Sequence, residues 1–106
     1  MSTDRLAQLK DMLKESPQDS FLLFAIAKEY EGRGDPEKAR EYYTTLLEKD
    51  PAYLGTYYHL GKLYERQGDP ERALELYDQG MERSRRAGDQ HNLSELAAAR
   101  LNLAED

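Results

Sequence analysis

Tyr57-Tyr58-His59-Leu60-Gly61-Lys62-Leu63-Tyr64-Glu65-Arg66-Gln67-Gly68-Asp69-Pro70-Glu71-Arg72-Ala73-Leu74-Glu75-Leu76-Tyr77 is the stretch whose reading decides the fold. Tyr57, Leu60, Gly61 and Tyr64 recur at i, i+3, i+4 and i+7, the spacing of one face of a helix. Ala73, Leu74, Tyr77, Gly80 and Met81 do the same for a second helix. Between them, Gly68 can end the first helix, Asp69 can cap the second, and Pro70 suits the second's first turn. The spacing therefore predicts an antiparallel helical hairpin with a short turn. Ala73 on one helix and Gly61 on the other lack bulk where the two would cross.

The pattern recurs thirty-four residues upstream, as Leu23, Ile26-Ala27, Tyr30, Gly34-Asp35-Pro36-Glu37, Ala39 and Tyr43. Eleven of 34 positions are identical between residues 20–53 and 54–87, and Pro17 stands to Pro51 as Pro36 stands to Pro70. The stretch resembles the tetratricopeptide repeat, whose signature is W-x₂-L-G-x₂-Y, then A-x₃-F, then P, with a period of 34 residues. Tyr57 takes the place of the tryptophan and Tyr77 that of the phenylalanine. The resemblance implies an all-α fold: a right-handed superhelical stack of antiparallel hairpins, here of about six helices.

Outward from the two repeats, Thr3 or Asp4 can cap a helix running to about Glu15, with Leu6, Leu9, Met12 and Leu13 as its apolar stripe. It corresponds to the second helix of a repeat whose first is missing, and residues 1–17 are read as a cap on the N-terminal side. After Tyr77 the match breaks. Arg85 replaces the expected proline, so the helix that starts at Pro70 should outlast the one that starts at Pro36. Asp89 can cap a last helix, about Gln90 to Ala104, which uses Leu93, Leu96 and Ala97 as its apolar positions. Asn92, Glu95, Arg100 and Asn102 make it polar over much of its surface, so residues 88–106 are read as a C-terminal cap. The chain is then one domain of 106 residues.

Composition narrows the function. The net charge of -6 argues against nucleic acid as a partner, because that binding is driven by lysine and arginine on phosphate, and against adsorption to anionic membranes. The absence of cysteine excludes disulfides, thiolate metal sites and thiol nucleophiles. No apolar run approaches the ~20 residues that span a bilayer. A soluble, cytoplasmic protein is the default expectation. No catalytic motif is present, and His59 and His91 fall on different helices, so neither an enzyme, a cofactor nor a metal site is expected. Arg83, Arg85 and Arg86 suit a helix C-terminus, where positive charge opposes the dipole.

The resemblance implies a function, since this family mostly binds proteins along the concave surface made by the leading helix of each hairpin. On the leading helices the period gathers Phe21, Phe24, Lys28 and Glu31 on one outward face, and Tyr58, His59, Lys62 and Glu65 on the other. Phe24 aligns with Tyr58, Lys28 with Lys62 and Glu31 with Glu65 across the two copies. His59 is expected on the exposed side of its helix. The expected partner is a protein or peptide segment with an apolar anchor and some acidic character; the alternative is a homodimer closed through the same aromatic surface. The family's carboxylate clamp for acidic chaperone tails is not carried over, because Phe24, Lys28 and His59 stand where it needs lysine and asparagine.

Overall fold

The computed structural model describes residues 4–104, and the chain divides into two units, the first ending at Tyr53 and the second beginning at Leu54. The first holds α1 (Arg5–Glu15), α2 (Ser20–Gly32) and α3 (Pro36–Lys49); the second holds α4 (Gly55–Arg66), α5 (Pro70–Ala87) and α6 (Gln90–Ala104). The described residues contain helices and turns and no strand. No described helix is long and apolar enough to cross a membrane.

Aspartates start most of these helices. The carboxylates of Asp4, Asp19, Asp35 and Asp69 accept from the backbone N–H of Leu6, Leu22, Lys38 and Arg72, and Asp89 accepts from Asn92 at 2.9 Å. Each satisfies an amide that the helix itself leaves without a partner. Asp4 therefore fills the capping role expected of Thr3 or Asp4; Thr3 lies outside the described residues. The tight turns are closed by glycine in the left-handed region, Gly34 at φ +76° and Gly68 at +82°. In both, the next aspartate N–H reaches back to a tyrosine carbonyl, Asp35 to Tyr30 at 3.0 Å and Asp69 to Tyr64 at 2.9 Å. This is the αL closure that a residue with a Cβ adopts only under strain.

In the first unit α2 is central, packed on α3 along one side and on α1 along another. It buries Leu22, Leu23, Ile26, Ala27 and Tyr30 against Ala39, Tyr43 and Leu46 of α3 and Leu6 and Leu9 of α1. Met12, expected in the α1 stripe, is 53% exposed: α1 packs mainly on α2, through a face that buries Leu6 and Leu9. At the helix end, Arg5 pairs with Glu29 at 3.2 Å, and Arg33 of the α2 cap bonds Asp4. Both pairs are largely solvated, so they set register more than they add stability.

In the second unit α5 is central, with α4 and α6 against it. It runs for 18 residues against 14 in α3, as expected from Arg85 in place of a proline, and stops at Gly88 in the left-handed region. Small residues bring the backbones together. A Cβ at Gly61 would lie 2.4 Å from Cε1 of Tyr77, and one at Gly80 would lie 2.6 Å from Cβ of Tyr57 and 2.8 Å from Cδ1 of Leu96. Gly80 thus gives up roughly 1 kcal/mol of helix propensity to let α4 and α6 both reach α5. Ala73 is fully buried in the same hairpin. Ala73→Leu is expected to destabilise by roughly 1–3 kcal/mol through overpacking; an unchanged midpoint in urea denaturation would contradict this packing.

Two expectations for this unit are corrected. Tyr64 is half-buried, and Leu63 takes the deep position instead. The Tyr64 ring lies under the Arg72 guanidinium at 5.6 Å, a place that leaves its edge in solvent. Asn92, read as part of the polar surface of α6, is buried and donates to the Ser84 hydroxyl at 2.7 Å. The pair satisfies two polar groups that burial would otherwise penalise. Leu96 and Ala99 complete the buried face of α6, while Leu93 and Ala97 are half-buried.

Candidate protein-interaction faces

On α2 the period of the helix places Phe21, Phe24, Lys28 and Glu31 on one side. Phe21 is 60% exposed, Lys28 is exposed, and Phe24 and Glu31 are half-buried. The inner edge of the Phe24 ring is held by aromatic neighbours, with centroids 5.9 Å from Tyr43 and 5.3 Å from Tyr53. The Lys28 ammonium lies 6.0 Å from the centroid of Phe24. Phe21, Phe24 and Lys28 line a shallow recess of about 320 Å³, together with Arg5, Ala25 and Glu29. Sequence reasoning missed these last three. Arg5 lies on α1 and enters only because α1 packs on α2; the signal for Glu29 was its place one turn beyond Ala25.

On α4, Tyr58, His59, Lys62 and Glu65 are all half-buried. His59 is therefore less exposed than expected. The rings of Tyr58 and His59 meet edge to face at 5.6 Å, which covers part of each. The Lys62 ammonium sits 5.7 Å from the Tyr58 centroid and 3.6 Å from the Glu65 carboxylate. The lysine-over-aromatic pair thus occurs at equivalent places in both repeats, Lys28 on Phe24 and Lys62 on Tyr58. Such a pair contributes roughly 0.5–1 kcal/mol at an exposed site and keeps the ammonium beside the ring.

Glu31 and Glu65 have an inward task. The buried Tyr43 hydroxyl donates to Glu31 at 2.5 Å, and the buried Tyr77 hydroxyl donates to Glu65. Burial, and then the adjacent carboxylate, push both phenols well above the usual tyrosine range. The two glutamates anchor the leading helix to its partner helix, so the outward chemistry of each face rests mainly on the aromatics and lysines. The signal for this was in the repeat itself, because both bonds join residues twelve positions apart.

Nothing in these faces gathers ligands for a metal: among the described residues no group of three or more His, Cys, Asp or Glu side chains converges. Arg85 and Arg86 lie near Glu82 at 3.9 and 3.1 Å on the exposed last turns of α5, in keeping with a helix-end charge. What each face offers is a helix surface that holds a ring and an ammonium group side by side.

Comparison with known proteins places this geometry. A family model described as tetratricopeptide repeat matches residues 24–89. The crystal structure of a tetratricopeptide repeat domain protein from Salinibacter ruber is 42% identical, over 82% of this chain and 97% of that one, with a TM-score of 0.80. The solution structure of a tetratricopeptide repeat domain protein from the same organism is 44% identical, over 82% of this chain and 88% of that one, with a TM-score of 0.78. The solution structure of a protein from Bordetella parapertussis is 26% identical, over 98% of this chain and 90% of that one, with a TM-score of 0.84. No curated protein matches the chain. Two copies of the signature, the paired helices they build and a family match over more than half of the sequence agree: this chain belongs to the tetratricopeptide repeat family, whose members generally mediate protein–protein interaction.

Proposed function

We propose that this chain is a non-catalytic interaction module or adaptor that holds a segment of a partner protein on the leading-helix faces of its two repeats. The observation that carries the reading is the lysine-over-aromatic pair present in both copies, Lys28 on Phe24 and Lys62 on Tyr58. Beside the first of them lie exposed Phe21 and a shallow recess. An apolar anchor on the partner would cover the rings, and acidic groups flanking it would meet the lysines in an otherwise acidic protein. Nucleic acid and anionic membrane are disfavoured as partners by the net charge of -6.

The test uses two separate double variants, Phe24→Ala with Tyr58→Ala and Lys28→Glu with Lys62→Glu. Both are expected to remain folded by circular dichroism and to lose a partner that the wild-type chain retains from a cell lysate. A charge-reversed variant that retains the partner as well as wild type would remove the lysines from the account. Loss of helical signal in the aromatic variant would reassign those rings to the core.

Exposed Phe21 also favours a second reading, self-association through the same surface. Size-exclusion chromatography with light scattering separates the two. A monomer supports partner binding, and a dimer that Phe21→Ser dissociates supports self-association.

A further inference from the structure

The first unit carries a second recess, built from residues outside the leading-helix face. It measures about 400 Å³ and lies between α1 and α3, over Leu23 and Tyr30 of α2. From α3 it takes Lys38, Tyr42, Thr45 and Lys49, spaced four, three and four residues apart along one stripe of that helix, with Glu41 beside them. From the other side come Lys10, Leu13 and Pro17. An adjoining recess of about 350 Å³ shares Lys10, Leu13, Pro17 and Tyr42 and adds Lys14, which makes the whole a trough.

Its charge is out of keeping with the rest of the chain. Lys10, Lys14, Lys38 and Lys49 are four of the six lysines of a protein with net charge -6. Lys38 is near Glu41 at 3.8 Å and Lys14 near Asp11 at 3.7 Å, both solvated contacts. Among the described residues Lys10 and Lys49 are in no ion pair. Lys10 lies over the Tyr30 ring at 5.2 Å, and Tyr30 stacks on Tyr42 at 5.7 Å. The floor is thus apolar and aromatic, and the rim carries four lysines against one carboxylate, Glu41.

The geometry points to a docking site for an extended acidic segment of a partner protein. An apolar side chain of that segment would lie over Leu13, Pro17 and Tyr42, with carboxylates at Lys38 and Lys49. Eleven residues of helix separate those lysines, about 16 Å at 1.5 Å per residue. An extended chain covers that distance in about five residues. A polyanion such as nucleic acid would also meet the acidic remainder of the surface. A short segment senses little beyond a Debye length of about 8–10 Å, so the local lysines decide its binding.

The probe is a fluorescein-labelled peptide with two glutamates five positions apart and a phenylalanine between them, followed by fluorescence anisotropy. Saturable, salt-sensitive binding to the full chain is expected. Lys38→Glu with Lys49→Glu should weaken it at least tenfold while the helical signal stays unchanged, since both side chains are exposed. A glutamine version of the peptide should weaken it comparably. Arg85→Glu with Arg86→Glu, the same change of net charge on the exposed last turns of α5, should bind the peptide as wild type does, which separates the local lysines from net charge. The proposal is overturned by any of three results: no saturable binding by wild type, equal binding by the Lys38/Lys49 variant, or tighter binding of a single-stranded oligonucleotide of similar length.

Discussion

Tyr77→Ala is expected to destabilise the protein by roughly 3–5 kcal/mol, the range for removing a fully buried aromatic ring. The ring is completely buried between α4 and α5 and stands against the bare backbone of Gly61. No side chain at position 61 can swing in to fill the space it leaves. Tyr77→Phe should cost less, roughly 1–3 kcal/mol, because it keeps the ring and removes only the hydrogen bond to the Glu65 carboxylate. The two sites are also coupled. Gly61→Ala should destabilise the wild-type chain, since its Cβ would lie 2.4 Å from Tyr77 Cε1, despite the ~1 kcal/mol that alanine gains in helix propensity. In the Tyr77→Ala background the same change should be neutral or stabilising. Urea denaturation of the four chains closes the cycle; additive effects would show that the ring and the glycine do not meet.

Alkaline pH should unfold the protein earlier than ordinary phenols would allow. Tyr43 and Tyr77 are fully buried, and burial together with Glu31 and Glu65 raises both hydroxyls well above the unfolded value near 10. Below that value both states hold their protons and these groups leave stability unaffected by pH. Above it the unfolded chain loses protons that the folded chain keeps, so stability falls as pH rises. The slope is at most about 1.4 kcal/mol per pH unit for each tyrosine, reduced where solvent reaches half-buried Glu31 and Glu65 and screens their charge. Stability measured from pH 8 to 12 should show this fall, and the Tyr43→Phe, Tyr77→Phe chain should show a distinctly flatter one. Equal slopes would mean that other groups govern the alkaline limit.

The repeat made much of this fold legible. Gly34 and Gly68 before Asp-Pro, the small residues Ala73 and Gly61, and Arg85 in the place of a proline each have a local physical meaning, and each appears in the structure in that role. Depth of burial was less legible, because a helical period gives direction around an axis and leaves out what neighbours cover. Leu63 and Tyr64 differ by one position, yet Leu63 is buried while Tyr64 stays half-buried beneath Arg72. Asn92 reads as surface until its partner Ser84 is known, and that partner is set by the close approach at Gly80. In the candidate faces, Phe21, Phe24 and Lys28 come together as the period predicts. The inward role of Glu31 and Glu65 depends on a hydroxyl twelve residues away, beyond the reach of any single-helix pattern.

The central claim is that the leading-helix faces of α2 and α4 hold the partner. Titrating the ¹⁵N-labelled chain with the retained partner segment, and following amide shifts by NMR, tests it most directly. The account predicts the largest changes over residues 21–31 of α2 and 58–65 of α4, with saturation at a common concentration. Changes confined to α3, α5 or α6, with Phe24, Lys28, Tyr58 and Lys62 unmoved at saturation, would contradict it.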